Sequence, residues 1–118
     1  MALSLRNVTF DCADPKALAA FWSEVIDKPV ADYSNDEFAA VGMGEAGEVG
    51  MLFLRVPEPK TAKNRFHPDL TAKDREAEIE RLVTLGATRG SDHEMKQIGA
   101  VWTVMQDPEG NEFCVAQR

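Results

Sequence analysis

Apolar and polar residues alternate at the start of the chain. Val8, Phe10 and Cys12 point one way and Asn7, Thr9 and Asp11 the other, which is the period of a half-buried strand over 5–12. Asp14-Pro15 then opens a helix, with Asp as N-cap and Pro at the first helical position, where a missing N–H costs nothing. Leu18, Phe21, Trp22, Val25 and Ile26 follow at helical spacing as one apolar stripe, and the helix must end before Pro29. Three short apolar runs come next and predict strands near 30–33, 38–43 and 50–56, with a turn at 44–47 between the last two. A stretch with Pro57, Pro59 and four basic residues (Arg55, Lys60, Lys63, Arg65) has no periodicity and reads as a linker.

After the linker the pattern restarts. A strand is predicted over 66–71, and Asp74 caps a second helix whose apolar stripe is Ile79, Leu82 and Val83 and whose end is marked by Gly86. A strand near Thr88 and a polar loop over 91–97 follow. The chain then closes with a long hairpin: an apolar strand from Gly99 to Gln106, a turn at Asp107-Pro108-Glu109-Gly110-Asn111, and a returning strand from Glu112 to Ala116. Alternation sets Phe113 and Val115 against Glu112, Cys114 and Ala116.

Under a constant shift of 60 positions the two halves coincide: Asn7 falls on His67, Phe10 on Leu70, Asp14 on Asp74, Ala40-Val41 on Ala100-Val101, Gly50 on Gly110, Phe53 on Phe113 and Leu54 on Cys114. Agreement of caps, turns and strand parity under one shift points to an internal repeat. The expected fold is α+β: a single domain of two βαβββ modules (about 4–56 and 65–117, linker 57–64) whose sheets curve round a central cavity. Strand parity directs Asn7, Thr9 and Asp11, His67, Asp69 and Thr71, and Glu112, Cys114 and Trp102 into that cavity, with Leu54 beside them, and sends Phe10, Phe113 and Val115 beneath the helices.

Composition narrows the function. A formal charge of −7 leaves no basic excess to neutralise phosphates, so sequence-independent nucleic-acid binding is excluded. No apolar run reaches the length of a membrane span, and the N-terminus lacks the layout of a signal peptide. The two cysteines, Cys12 and Cys114, have neither CxxC nor zinc-like spacing, which fits a reduced, cytoplasmic protein. His67, Asp69 and Thr71 share a strand face: either a His–Asp pair available for acid–base work, making these two the catalytic candidates, or a histidine satisfied by a backbone group. Cys114 has no cation nearby in sequence to activate it and reads as a small buried hydrophobe rather than a nucleophile. Trp102 is either plain core or a stacking surface for a planar ligand. The basic linker is either solvated loop or a fence attracting an anionic ligand.

The chain resembles the vicinal oxygen chelate superfamily of glyoxalase I, extradiol dioxygenases, fosfomycin resistance and bleomycin resistance proteins. The resemblance rests on Asp14-Pro15 opening an Ala-rich helix that ends in Phe21-Trp22, on Leu85-Gly86-Ala87, and above all on Asp107-Pro108-Glu109-Gly110-Asn111-Glu112-Phe113. Val-Pro-Glu-Pro-Lys at 56–60 and Asn-Glu-Phe-Cys-Val at 111–115 are similar to the small bacterial glyoxalase-like subgroup. Metal-using members of the superfamily hold one divalent ion with four side chains, and the resemblance carries those positions to Asn7, Leu54, His67 and Cys114. Only His67 is a ligand of the expected type. The resemblance therefore implies a binding protein of the bleomycin resistance kind, a homodimer taking a small organic molecule without a cofactor or catalytic metal. The alternative is a metal-dependent lyase or dioxygenase built around His67 with atypical partners.

Overall fold

A computed structural model describes residues 2–44 and 47–118. The chain divides into two compact units, Met1–Pro59 and Lys60–Arg118. In the first, β1 (Asn7–Cys12), α1 (Pro15–Ile26), β2 (Phe38–Val41) and β3 (Gly50–Arg55) build a three-stranded sheet in the order β1-β3-β2, with β1 parallel and β2 antiparallel to β3. In the second, β4 (Asp69–Ala72), α2 (Arg75–Thr84), β5 (Thr88–Met95), β6 (Ala100–Gln106) and β7 (Glu112–Gln117) build a four-stranded sheet in the order β4-β7-β6-β5. A 3₁₀ turn, Lys96–Ile98, joins β5 to β6. These are two βαβββ-like modules, as the internal repeat predicts.

Both helices start as their sequences dictate. The carboxylate of Asp14 accepts from the Ala17 N–H at 3.2 Å, and that of Asp74 from the Ala77 N–H at 3.1 Å, each satisfying a donor that the first helical turn leaves open. Helix α1 buries Leu18, Phe21 and Trp22, and Trp22 packs against Phe10 of β1 with ring centroids 5.5 Å apart. Helix α2 buries Ile79 and Leu82, whereas Val83 of the expected stripe is exposed. Phe113, Val115 and Met105 form the buried core of the second sheet, and Phe53 and Val41 that of the first.

Four expectations about the strands need correction. The strand near 30–33 shrinks to a single bridge between Val30 and Val41, because the chain turns back at once, the Ser34 N–H donating to the Ala31 carbonyl. The strand at 66–71 begins only at Asp69. Pro68 has no N–H for a ladder, although its carbonyl accepts from the Cys114 N–H at 2.9 Å, and Phe66 is almost fully exposed. The polar loop over 91–97 is instead most of β5, an edge strand exposed along all its eight residues. It bulges between Arg89 and Asp92, and Gly90 sits so close to the Val104 carbonyl oxygen that a Cβ there would lie 2.7 Å from it.

The fourth correction concerns the repeat. Parallel partners lie 43 positions apart in the first module, where Asn7 opposes Gly50, and 45 apart in the second, where Asp69 opposes Cys114. The shift of 60 holds for the helix caps but becomes 62 at the last strand. By pairing, then, Gly50, Leu52 and Leu54 correspond to Glu112, Cys114 and Ala116. The displacement is an even number of residues, so side-chain parity survives it. Ala40-Val41 and Ala100-Val101 are not equivalent either: Ala40 pairs with Leu52 of β3, whereas Cys114, the counterpart of Leu52, pairs with Val104 of β6.

Candidate functional site

The second module carries a cavity of about 510 Å³ lined by Lys63, His67, Asp69, His93, Trp102, Val104, Glu112, Cys114 and Ala116. Sheet geometry explains the gathering. Trp102 opposes Ala116, Val104 opposes Cys114 and Gln106 opposes Glu112 across the β6–β7 ladder, so these side chains share one face. Phe113, Val115, Thr103 and Met105, of the other parity, are buried. Cys114 also opposes Asp69 of β4, which brings the segment carrying His67 to the same wall. From β5, His93 pairs with Trp102 and the two rings stack, centroids 5.6 Å apart and planes at 18°.

The polar atoms of the wall have defined roles. His67 Nδ1 lies 2.8 Å from Asp69 Oδ1, so the ring donates from Nδ1 and the neutral imidazole keeps its Nε2 as an acceptor. The Cys114 sulfur is 3.8 Å from His67 Nδ1. Burial, and then the charge of Asp69, push the Cys114 thiol up to about 11, so it is a protonated thiol at neutral pH and not a nucleophile. At the far end of the pair, Ser91 Oγ is 2.7 Å from His93 Nε2.

Glu112, which strand parity places on this face, is the buried carboxylate of the wall. Its side chain is only 8% exposed, and Oε1 accepts from the Asn64 N–H at 2.9 Å and from Lys60 Nζ at 3.0 Å. Burial on its own would raise the carboxyl, but the Asn64 N–H and the Lys60 ammonium outweigh it and hold the group below its ordinary value. Oε2 is buried with no hydrogen-bond partner among the described residues. A buried acceptor left unmade costs about 1–3 kcal/mol.

Of the residues expected from sequence, His67, Asp69, Trp102 and Cys114 come together at this cavity. Asn7, Thr9 and Leu54 belong to the first module. The Asn7 amide donates to Thr9 Oγ1 at 3.0 Å and accepts from Arg6 Nε at 3.1 Å, and Leu54 opposes Asp11 across the β1–β3 ladder. Glu112, which strand parity also directs to the central cavity, lines this one as well, whereas Asp11 and Thr71 are not among its lining residues. Lys63, His93, Val104 and Ala116 were not among the expected site residues, although alternation alone could have added Ala116, whose parity matches that of Cys114.

Of the four positions that the resemblance assigns to a metal, Leu54 carries no ligating atom. A different set of three exists within the second module: the donor atoms of His67, Asp69 and Cys114 all lie within 4.8 Å of one another. Here the thiol is protonated and the imidazole already donates to the carboxylate, so a cation would have to displace protons to bind.

Paired βαβββ-like modules of this kind define the vicinal oxygen chelate superfamily. The chain belongs to its glyoxalase-like domain family, whose profile matches residues 7–116. Among solved structures, it is similar to a glyoxalase/bleomycin resistance protein/dioxygenase family enzyme from Burkholderia phytofirmans PsJN, with 19% identity, 98% of each chain covered and a TM-score of 0.78. It is similar also to the fosfomycin resistance protein FosX from Listeria monocytogenes, solved with Mn(II) and a dihydroxypropylphosphonic acid, at 13% identity over 98% of this chain and 90% of that one, TM-score 0.78. A lactoylglutathione lyase from Agrobacterium tumefaciens matches at 15% identity, covering 99% and 95%, with a TM-score of 0.69. At these identities the likeness carries the fold alone. No curated protein matches the sequence. No helix among the described residues is long and apolar enough to cross a membrane.

Proposed function

We propose that this glyoxalase-like domain binds a small organic molecule in the second-module cavity without a resident catalytic metal. The observation that carries this reading is the cavity itself, which joins an apolar floor (Val104, Ala116, Cys114), an aromatic platform (Trp102 on His93) and a hydrogen-bonded pair (His67 and Asp69) in one concave space. Concave, largely apolar walls with a few convergent polar groups are where small molecules are held. Trp102 supplies the stacking surface, and His67 the polar contact that fixes orientation. A thermal-shift screen of metabolites, followed by native mass spectrometry, tests the reading. Hits that stabilise the wild type and not Trp102→Ala support it, and hits unaffected by that change overturn it. His67→Ala should weaken binding by about 1–3 kcal/mol if the imidazole hydrogen-bonds the ligand.

The second reading, a metal-dependent lyase or dioxygenase, is favoured by the His67–Asp69–Cys114 triad. Elemental analysis of protein purified without added metal separates the two. We expect well under one equivalent of zinc, iron, nickel or manganese, and a full equivalent that is lost in His67→Ala would establish the second reading. We also take the protein to be a cytoplasmic homodimer, as the family resemblance implies and as two-fold pairing commonly provides. A monomer mass by light scattering at tens of micromolar protein would contradict it.

A further inference from the structure

The cavity wall offers donors as well as acceptors, and its charges are unevenly matched. Glu112 is out of play: Oε1 is held by Lys60 Nζ at 3.0 Å and the Asn64 N–H at 2.9 Å, and Oε2 is buried beyond a ligand's reach. Asp69 accepts from His67 Nδ1 at 2.8 Å, and its side chain is 65% exposed, so water screens its charge. Lys63 is different. Of the linker's basic residues it alone lines the cavity, and it has no ion-pair or hydrogen-bond partner among the described residues. The indole N–H of Trp102 is a second donor on the wall, likewise without a partner among the described residues. The sheet sets the cation against the aromatic platform. Trp102 opposes Ala116, and Cys114 lies one step back along β7, about 7 Å away. The charge of Lys63 is felt there, favouring the Cys114 thiolate against the effect of burial. A ring seated on Trp102 therefore has a permanent cation toward one edge.

We infer that the cavity takes a planar aromatic carboxylate, with its ring stacked on Trp102 and its acid group paired with Lys63. This deepens the small-molecule reading above and rests on it. The stacked rings of Trp102 and His93 supply the platform, and the ionised acid completes the one cation of the wall that lacks a counter-charge. Lys63 is exposed, so the attraction is modest and weakened by salt. An uncharged amide on the same ring keeps the stacking and loses the attraction.

The test uses two probes of the same shape, 2-naphthoate and 2-naphthamide, titrated at pH 7 into ¹⁵N-labelled full-length protein in buffer containing EDTA. The indole N–H resonances are the readout. The Trp102 signal reports the cavity, and that of Trp22, fully buried in the first module, serves as control. At low salt the carboxylate should shift Trp102 and bind about fourfold tighter than the amide, the effect of one exposed charge pair, and the preference should shrink as salt is added. In Lys63→Gln it should vanish. In Lys73→Gln, which removes an equal charge outside the cavity lining, it should remain. Equal binding of the two probes to the wild type would overturn the inference and leave the small-molecule reading standing. A preference that survives Lys63→Gln, or that Lys73→Gln abolishes equally, would overturn the assignment to Lys63. If neither probe moves Trp102, the aromatic-acid class is overturned, and the broader reading stands or falls on the metabolite screen.

Discussion

The two modules are built alike and equipped differently. Each has an Asp-capped helix over a sheet, and each sheet pairs its first strand in parallel with its last. On the last strand, however, Gly50, Leu52 and Leu54 in the first module stand where Glu112, Cys114 and Ala116 stand in the second. The helix-facing parity is apolar in both, because that face must be buried for either module to fold. The opposite parity carries no such obligation, and there the second module alone has gathered a histidine, two carboxylates and a thiol. The comparison separates what a repeat must keep from what it is free to change.

The largest effect should come from the parity that both modules share. Phe53 and Phe113 are each fully buried, and truncating either to Ala should cost about 3–5 kcal/mol. Urea unfolding of the two variants measures this, and a loss confined to one module would break the parallel.

Glu112 sharpens the contrast through pH. Its carboxyl titrates in the folded protein below its ordinary value of 4.5, so its contribution to stability is complete above that pH and is lost as pH falls through the folded-state pKa. Glu112→Gln should therefore lose less stability between pH 7 and pH 3 than the wild type, as read from urea midpoints. An unchanged acid slope would remove Glu112 from this account.

Smaller again are the caps. Asp14→Ala and Asp74→Ala should each cost about 1 kcal/mol by the same unfolding assay, since each removes one side-chain acceptor from a helix start. Clearly unequal costs would show that the two helix starts are not energetically equivalent. The thiol gives the smallest effect: with Cys114 held up to about 11, alkylation by iodoacetamide at pH 7.5 should be slow in native protein and become fast only on unfolding.

Much of this architecture is legible in the sequence because its signals are local. Asp-Pro at 14–15, Asp74, Gly86 and the turn at 107–111 each act within a few residues of themselves. Strand β5 is not legible, because a strand exposed along its whole length has no apolar alternation to display, and Ser91-Asp92-His93-Glu94 reads as loop. Its order comes instead from ladder bonds to β6 and from side chains distant in sequence. Arg89 reaches Glu76 of α2 at 2.7 Å, and Thr103 of β6 donates to Asp92 at 2.7 Å. Of the site, His67, Asp69, Trp102, Glu112 and Cys114 follow from parity. The strap by which Lys60 and Asn64 hold Glu112 joins residues about fifty positions apart, and nothing in the local pattern announces it.

The two-residue offset between the modules has a consequence for how such a wall can be altered. A last strand that slides by two brings a new set of side chains to the cavity while every core residue stays in the core. A slide by one would bury Glu112 and His67's neighbours under α2 and expose Phe113 and Val115 to water. Register along β7 is therefore quantised in pairs, and a designer seeking a different binding wall on this scaffold can shift the strand in steps of two without rebuilding the interior.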